Sequence, residues 1–164
     1  MKNHCLIVDD NALVLETTAS LVKHIVRCPV RCCTSGEEAI RVHAENPGAF
    51  ACVLTDYQMP GMNGLQLGDY FRVAAPELKL LLVTGNPVAL DGIDVRDFGF
   101  EGLITKPFNI AELTSLLRPL FTGDRGFFGA KPTLNNLAPR STHDLYGRSV
   151  SLFEASGGMS RAVA

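Results

Sequence analysis

One pattern constrains this chain more than any other. Up to residue 121, five short apolar runs alternate with stretches whose apolar residues recur at helical spacing. His4 to Val8 reads as a strand ending at Asp9-Asp10, and Asn11 can cap a helix carrying Val14, Thr18, Leu21 and Ile25 on one face. Cys28-Pro29 breaks that helix, and Val30 to Cys33 forms a second strand. Ser35 and Glu38 have capping-box spacing, with the serine available to cap and the glutamate to reach back; the helix they open runs to Asn46-Pro47-Gly48.

Ala51 to Thr55 is a third strand, ending at Asp56, and Gln58 to Gly64 is a loop rich in Pro and Gly. Leu65, Leu67, Tyr70 and Phe71 mark a third helix that stops at Ala75-Pro76. Lys79 to Val83 is nearly all apolar, as suits a central parallel strand buried on both faces, and it ends at Thr84-Gly85. Gly102 to Thr105 is a fifth strand ending at Lys106-Pro107, and the cap pair Asn109 and Glu112 opens a helix with Leu113, Leu116, Leu117 and Leu120 on one face. Between the last two strands, Pro87 to Asp97 holds Asp91-Gly92, Asp94 and Asp97, all poor helix-interior residues, so a short, frayed or distorted helix is expected there. Five strands alternating with helices predict a parallel α/β sheet covered on both faces.

In such a sheet, ligands bind beyond the carboxyl ends of the strands. Asp9, Asp10, Asp56, Thr84 and Lys106 each follow a predicted strand, and the fold would gather them on one edge. Packed carboxylates raise one another's pKa unless a cation neutralises them. Hard oxygen donors with no nearby Cys or His point to Mg2+, which keeps several waters and takes a phosphate oxygen. A lysine and a threonine hydroxyl across the cluster complete what a transferring phosphoryl group needs to disperse its charge. The remaining carboxylate is then a candidate nucleophile that would form an acyl phosphate. Each residue has an ordinary reading too. Asp9-Asp10 could simply favour a helix N-terminus, Asp56 could be a turn residue, Thr84 a strand-end hydroxyl and Lys106 a solvated charge. Together these need five coincidences at the strand ends.

Val8-Asp9-Asp10, Asp56 with Met59-Pro60-Gly61-Met62-Asn63-Gly64, Thr84-Gly85 and Lys106-Pro107-Phe108 resemble, in order and spacing, the response-regulator receiver domains of two-component signalling. The resemblance covers about residues 3–121 and implies a flavodoxin-like doubly wound sheet of strand order 2-1-3-4-5. It further implies Asp56 as phosphoacceptor, and magnesium held by Asp10, Asp56 and the backbone carbonyl of Gln58, with Asp9 acting mostly through water. Lys106 would contact the phosphoryl group and Thr84 would move to hydrogen-bond it. The implied donor is phosphohistidine of a sensor histidine kinase or a histidine phosphotransfer protein, and the output is a contact with a downstream protein. The chain would be no enzyme beyond its own phosphorylation and dephosphorylation. A phosphorelay intermediate needs the same site, and a phosphorylation-independent pseudo-receiver would share the fold.

One departure stands out. Receivers commonly carry Tyr or Phe three residues before the lysine, where this chain has Leu103. Leucine cannot make the aromatic rotamer exchange. Either the readout runs through ordering of Pro87 to Asp97, or Leu103 simply packs inward.

Residues 1–121 form the expected receiver, with 10 basic and 14 acidic side chains, and 122–164 form an extension with 5 and 3. The extension is expected to be mostly disordered or a short docking segment, with Tyr146, Val150 and Phe153 spaced for one short helix. It is short for a winged-helix output domain, and no basic recognition helix is visible, so direct DNA binding is not expected. No apolar run approaches the ~18 residues that span a bilayer. With no signal-peptide pattern either, a cytoplasmic location and reduced cysteines are expected.

Overall fold

The computed structural model of the chain describes residues 3–122. The expected helix through Tyr146, Val150 and Phe153, and the extension beyond Thr122, lie outside the described residues. Within them, β1 (His4–Val8), β2 (Val30–Cys33), β3 (Phe50–Asp56), β4 (Lys79–Thr84) and β5 (Phe100–Thr105) form one parallel sheet in the order β2-β1-β3-β4-β5. The connecting helices are α1 (Ala12–Val26), α2 (Gly36–Glu45), α3 (Gly64–Ala74) and α4 (Ile110–Thr122). This is the flavodoxin-like sheet that the resemblance implied.

Alternation along the strands sorts side chains into two cores. Leu80 and Leu82 of β4 join Leu6, Val53, Val42 and Phe71 on the side of α2 and α3. Leu81 and Val83 join Ile7, Leu54, Val22 and Leu117 on the side of α1 and α4. The second core also buries Cys5 and Cys52, register partners on β1 and β3 whose sulfurs lie 3.3 Å apart. The thiol of Cys5 is pushed well up, chiefly by that contact and by burial.

Of the three helix caps expected from the sequence, two form in full and one only in part. Asn11 accepts from the Leu13 and Val14 amides, and Asn109 and Glu112 cap reciprocally. At α2 the Ser35 hydroxyl accepts from the Glu38 amide, but Glu38 does not return the bond to Ser35. Its carboxylate accepts instead from the amide and hydroxyl of Thr34, one residue earlier, so the expected box is only half formed. Ser35 is fully extended (φ -151°, ψ 162°), and the Thr34 amide offers the carboxylate its partner.

Between β4 and β5 there is no α-helix. Two 3-10 turns, Pro87–Leu90 and Val95–Phe98, stand in its place. Gly92 (φ 77°) and Gly99 (φ 86°) take left-handed conformations that break helical continuity. Asp94 turns its carboxylate back to the Arg96 amide, as a short side chain does when it competes with helix. Leu103 does not pack inward here: it is 37% exposed, because these turns leave its face of β5 partly uncovered.

Candidate functional site

Strand register builds the site. Val8 pairs with Thr55, Asp56 with Val83 and Thr84 with Thr105, so the strand ends lie level. Asp9 and Lys106 each follow immediately, held by main-chain bonds from the Asp9 amide to the Cys33 carbonyl (3.1 Å) and the Lys106 amide to the Thr84 carbonyl (2.7 Å). Gly64 lets α3 begin directly against the end of β3: its amide donates to the Tyr57 carbonyl, and a Cβ there would collide with the Asp56 carbonyl.

At this edge the Lys106 ammonium donates to Asp9 Oδ2 at 2.7 Å and to Asp56 Oδ1 at 2.5 Å. The other carboxylate oxygens are also held. Asp9 Oδ1 accepts from the Asn11 amide (2.9 Å) and Asp56 Oδ2 from the Gln58 amide (2.7 Å). Burial pushes the Asp56 carboxyl up, and its bond to Lys106 only partly opposes this. For Lys106, burial disfavours the charge, but the bonds to Asp56 and Asp9 outweigh it and the ammonium is held above its ordinary value. Two nearly buried carboxylates thus share one cation.

Thr84 is fully buried. Its hydroxyl oxygen accepts from the Asn86 amide at 3.0 Å, which leaves the hydroxyl proton to donate elsewhere. The structure therefore brings Asp9, Asp56, Thr84 and Lys106 to one edge, with Gln58 bound to Asp56 through its amide. Asp10 is exposed and makes no hydrogen bond to this group. A shallow pocket of about 420 Å³ lies beside Asp56, lined by Tyr57, Gln58, Met59, Pro60 and Asn63.

The cation implied by the sequence fits the donors, though not as a closed cage. Among the described residues no three His, Cys, Asp or Glu side chains converge as ligands. The donors present are carboxylates and carbonyls. An ion that keeps several of its own waters needs few protein ligands of that kind. Reading by sequence missed the Asn63–Gln66 capping box, in which each side chain accepts from the other residue's amide at 2.9 and 3.0 Å. Its signal, Asn-x-x-Gln ahead of an apolar run, was present in the chain.

A family model described as response regulator receiver domain matches residues 5–118. The chain belongs to this family. Its relatives include the aerobic respiration control protein ArcA of Escherichia coli (34% identical, covering 73% of this chain and 48% of that one). The response regulator protein TodT of Pseudomonas putida is 30% identical and covers 68% of this receiver chain, again 48% of its own length. Hybrid signal transduction histidine kinase L of Dictyostelium discoideum is 25% identical over 69% of the chain, but only 7% of that protein. The chain thus spans about half the length of the first two and a small part of the third. Among solved structures, a receiver domain from Clostridium thermocellum superposes with TM-score 0.68 at 21% identity, over 74% of this chain and 95% of that one. That likeness bears on the fold alone. A receiver domain accepts phosphorylation in two-component signalling, and receivers generally depend on Mg2+ and work with histidine kinases or phosphotransfer proteins. No helix among the described residues is long and apolar enough to cross a membrane.

Proposed function

We propose that Asp56 is the phosphoacceptor and that phosphohistidine of a sensor kinase or histidine phosphotransfer protein is the donor. The observation that best supports this is the Lys106 ammonium shared between Asp56 and Asp9 at the strand edge. A carboxylate oxygen of Asp56 attacks phosphorus, the new O–P bond forms as the P–N bond breaks, and the imidazole leaves with the electron pair. Lys106 holds a fixed positive charge beside the oxygens on which negative charge accumulates. The Thr84 hydroxyl, free to donate its proton, turns from its local turn toward a phosphoryl oxygen. Asp9, Asp10, Asp56 and the Gln58 carbonyl would hold Mg2+, which when bound offsets phosphoryl charge.

The phosphorylated form then favours whichever conformation binds the phosphoryl group better, and a downstream protein in the cytoplasm reads that shift. The test is phosphorylation of the full chain by acetyl phosphate with Mg2+, followed by intact mass. One phosphoryl adduct is expected, labile to hydroxylamine, and absent in Asp56→Asn. An unmodified parent chain overturns the reading in favour of a phosphorylation-independent module, and an adduct that survives Asp56→Asn overturns the assignment of Asp56.

A further inference from the structure

Cys5 and Cys52 carry reactive chemistry that the phosphoryl site does not use. They face one another across β1 and β3, the two strands that lead to Asp9 and Asp56, but they sit near the strand starts rather than the carboxylate ends. Both side chains are fully buried, and their sulfurs lie 3.3 Å apart with the Cys52 thiol donating to Cys5. Adjacent strands of a sheet lie about 4.8 Å apart, inside the Cα separation of about 4.4–6.8 Å that a disulfide usually spans. A bond between these two sulfurs therefore needs small side-chain adjustments and no new strand arrangement.

The ladder is weakest at this point. His4 stands opposite Phe50 and Cys5 opposite Cys52, which leaves Ala51 without a register partner on β1. Among the described residues, the buried side-chain atom with no hydrogen-bond partner is His4 Nδ1, a cost that local opening at the start of β1 relieves. The contact with Cys52 and burial together hold the Cys5 thiol well above its ordinary value. A pair kept protonated and covered in this way is closed to bulky disulfides and alkylators, and open only to a small oxidant admitted by such an opening. We propose that Cys5 and Cys52 form a redox-sensitive dithiol that hydrogen peroxide closes to a disulfide, tying β1 to β3. One sulfur takes an oxygen from the peroxide as the O–O bond breaks, and water leaves. The second sulfur attacks that sulfenic sulfur, the S–O bond breaks, and a second water leaves with the remaining thiol proton. Two thiols and one peroxide thus give one disulfide and two waters, with sulfur oxidised and oxygen reduced.

This inference does not depend on phosphorylation of Asp56. The test uses the full chain carrying Cys32→Ser, which removes the exposed thiol and leaves four buried ones. The protein is treated with graded hydrogen peroxide, quenched, unfolded and alkylated, and its adducts are counted by mass. Expected is a fall from four adducts to two, restored to four by dithiothreitol, with peptide mapping placing the bond between Cys5 and Cys52. The cross-link closes a long loop of the unfolded chain, so the oxidised protein should also unfold at higher urea concentration, and reduction should reverse the shift. In the same background Cys52→Ala should yield no intramolecular disulfide. Four adducts at every peroxide concentration overturn the proposal, as does a bond mapped to Cys28 or Cys33, or a loss of thiols that dithiothreitol does not reverse. Mapping is read on the chain that retains both cysteines, so the outcome stands even where Cys52→Ala does not fold. An unchanged urea midpoint in the mapped disulfide form overturns the claim that the bond ties the strands.

Discussion

Burying the Asp56 carboxylate disfavours its charge more than Lys106 restores it, which sets up a conflict between site and stability. The carboxyl is held above its ordinary value in the folded chain. Its ionised form is therefore relatively favoured by the unfolded chain. The resulting cost to folding is full at neutral pH and disappears as pH falls below the unfolded carboxylate range, near about 3.9. Asp56→Asn removes the charge but keeps a single oxygen acceptor, which can serve the Lys106 ammonium or the Gln58 amide and not both. Losing the buried charge should still let it melt higher than the parent at about pH 7. The margin should shrink as pH approaches about 4, and thermal melts across that range check it. Most of these residues were legible because a strand end is a readable position: Asp9, Asp56, Thr84 and Lys106 all follow apolar runs. Which of the adjacent Asp9 and Asp10 turns inward was not readable. That depends on the turn at Asn11, whose amide holds Asp9 while Asp10 faces solvent.

Elements show where local rules suffice and where neighbours intervene. Three aspartates and a glycine in Pro87 to Asp97 were enough to foresee a short, frayed or distorted helix, and two 3-10 turns are what such residues leave. The Asn63–Gln66 box went unread because Pro60-Gly61 dominates the preceding loop, and the start of α3 is fixed by that box together with the close approach of Gly64 to β3. Glu38 is the subtler case, since spacing alone cannot choose between the Ser35 and Thr34 amides. The bond from the Thr34 amide is the main reason its carboxyl lies below the ordinary value. A depressed folded pKa gives stability that is present above the unfolded value and lost as pH falls through the folded one. Glu38→Gln should therefore lower the melting temperature at neutral pH, by an amount equivalent to at most about 1 kcal/mol for an exposed charge at a helix start. The parent and variant melts should converge in acid. A difference that persists unchanged to low pH would rule out this electrostatic account.

Across the whole molecule, layer architecture was readable and strand order was not. Alternating strands and helices dictate a parallel sheet covered on both faces, because each apolar face must be buried. Periodicity says nothing about which strands neighbour, and the 2-1-3-4-5 order came from resemblance before register showed it. The same layering hides most of the chain's sulfur. Of five cysteines, Cys5, Cys28, Cys33 and Cys52 are buried and Cys32 is exposed, and burial pushes the Cys33 thiol up to about 12. The chain has no tryptophan, so the usual intrinsic fluorophore for following unfolding is missing. Alkylation can serve instead. A maleimide should add first to Cys32 alone in the native protein and reach all five thiols once the sheet opens, so adduct number by mass reads the folded fraction directly. Adducts on Cys5 and Cys52 under native conditions would mean that β1 and β3 separate far more readily than their packing implies.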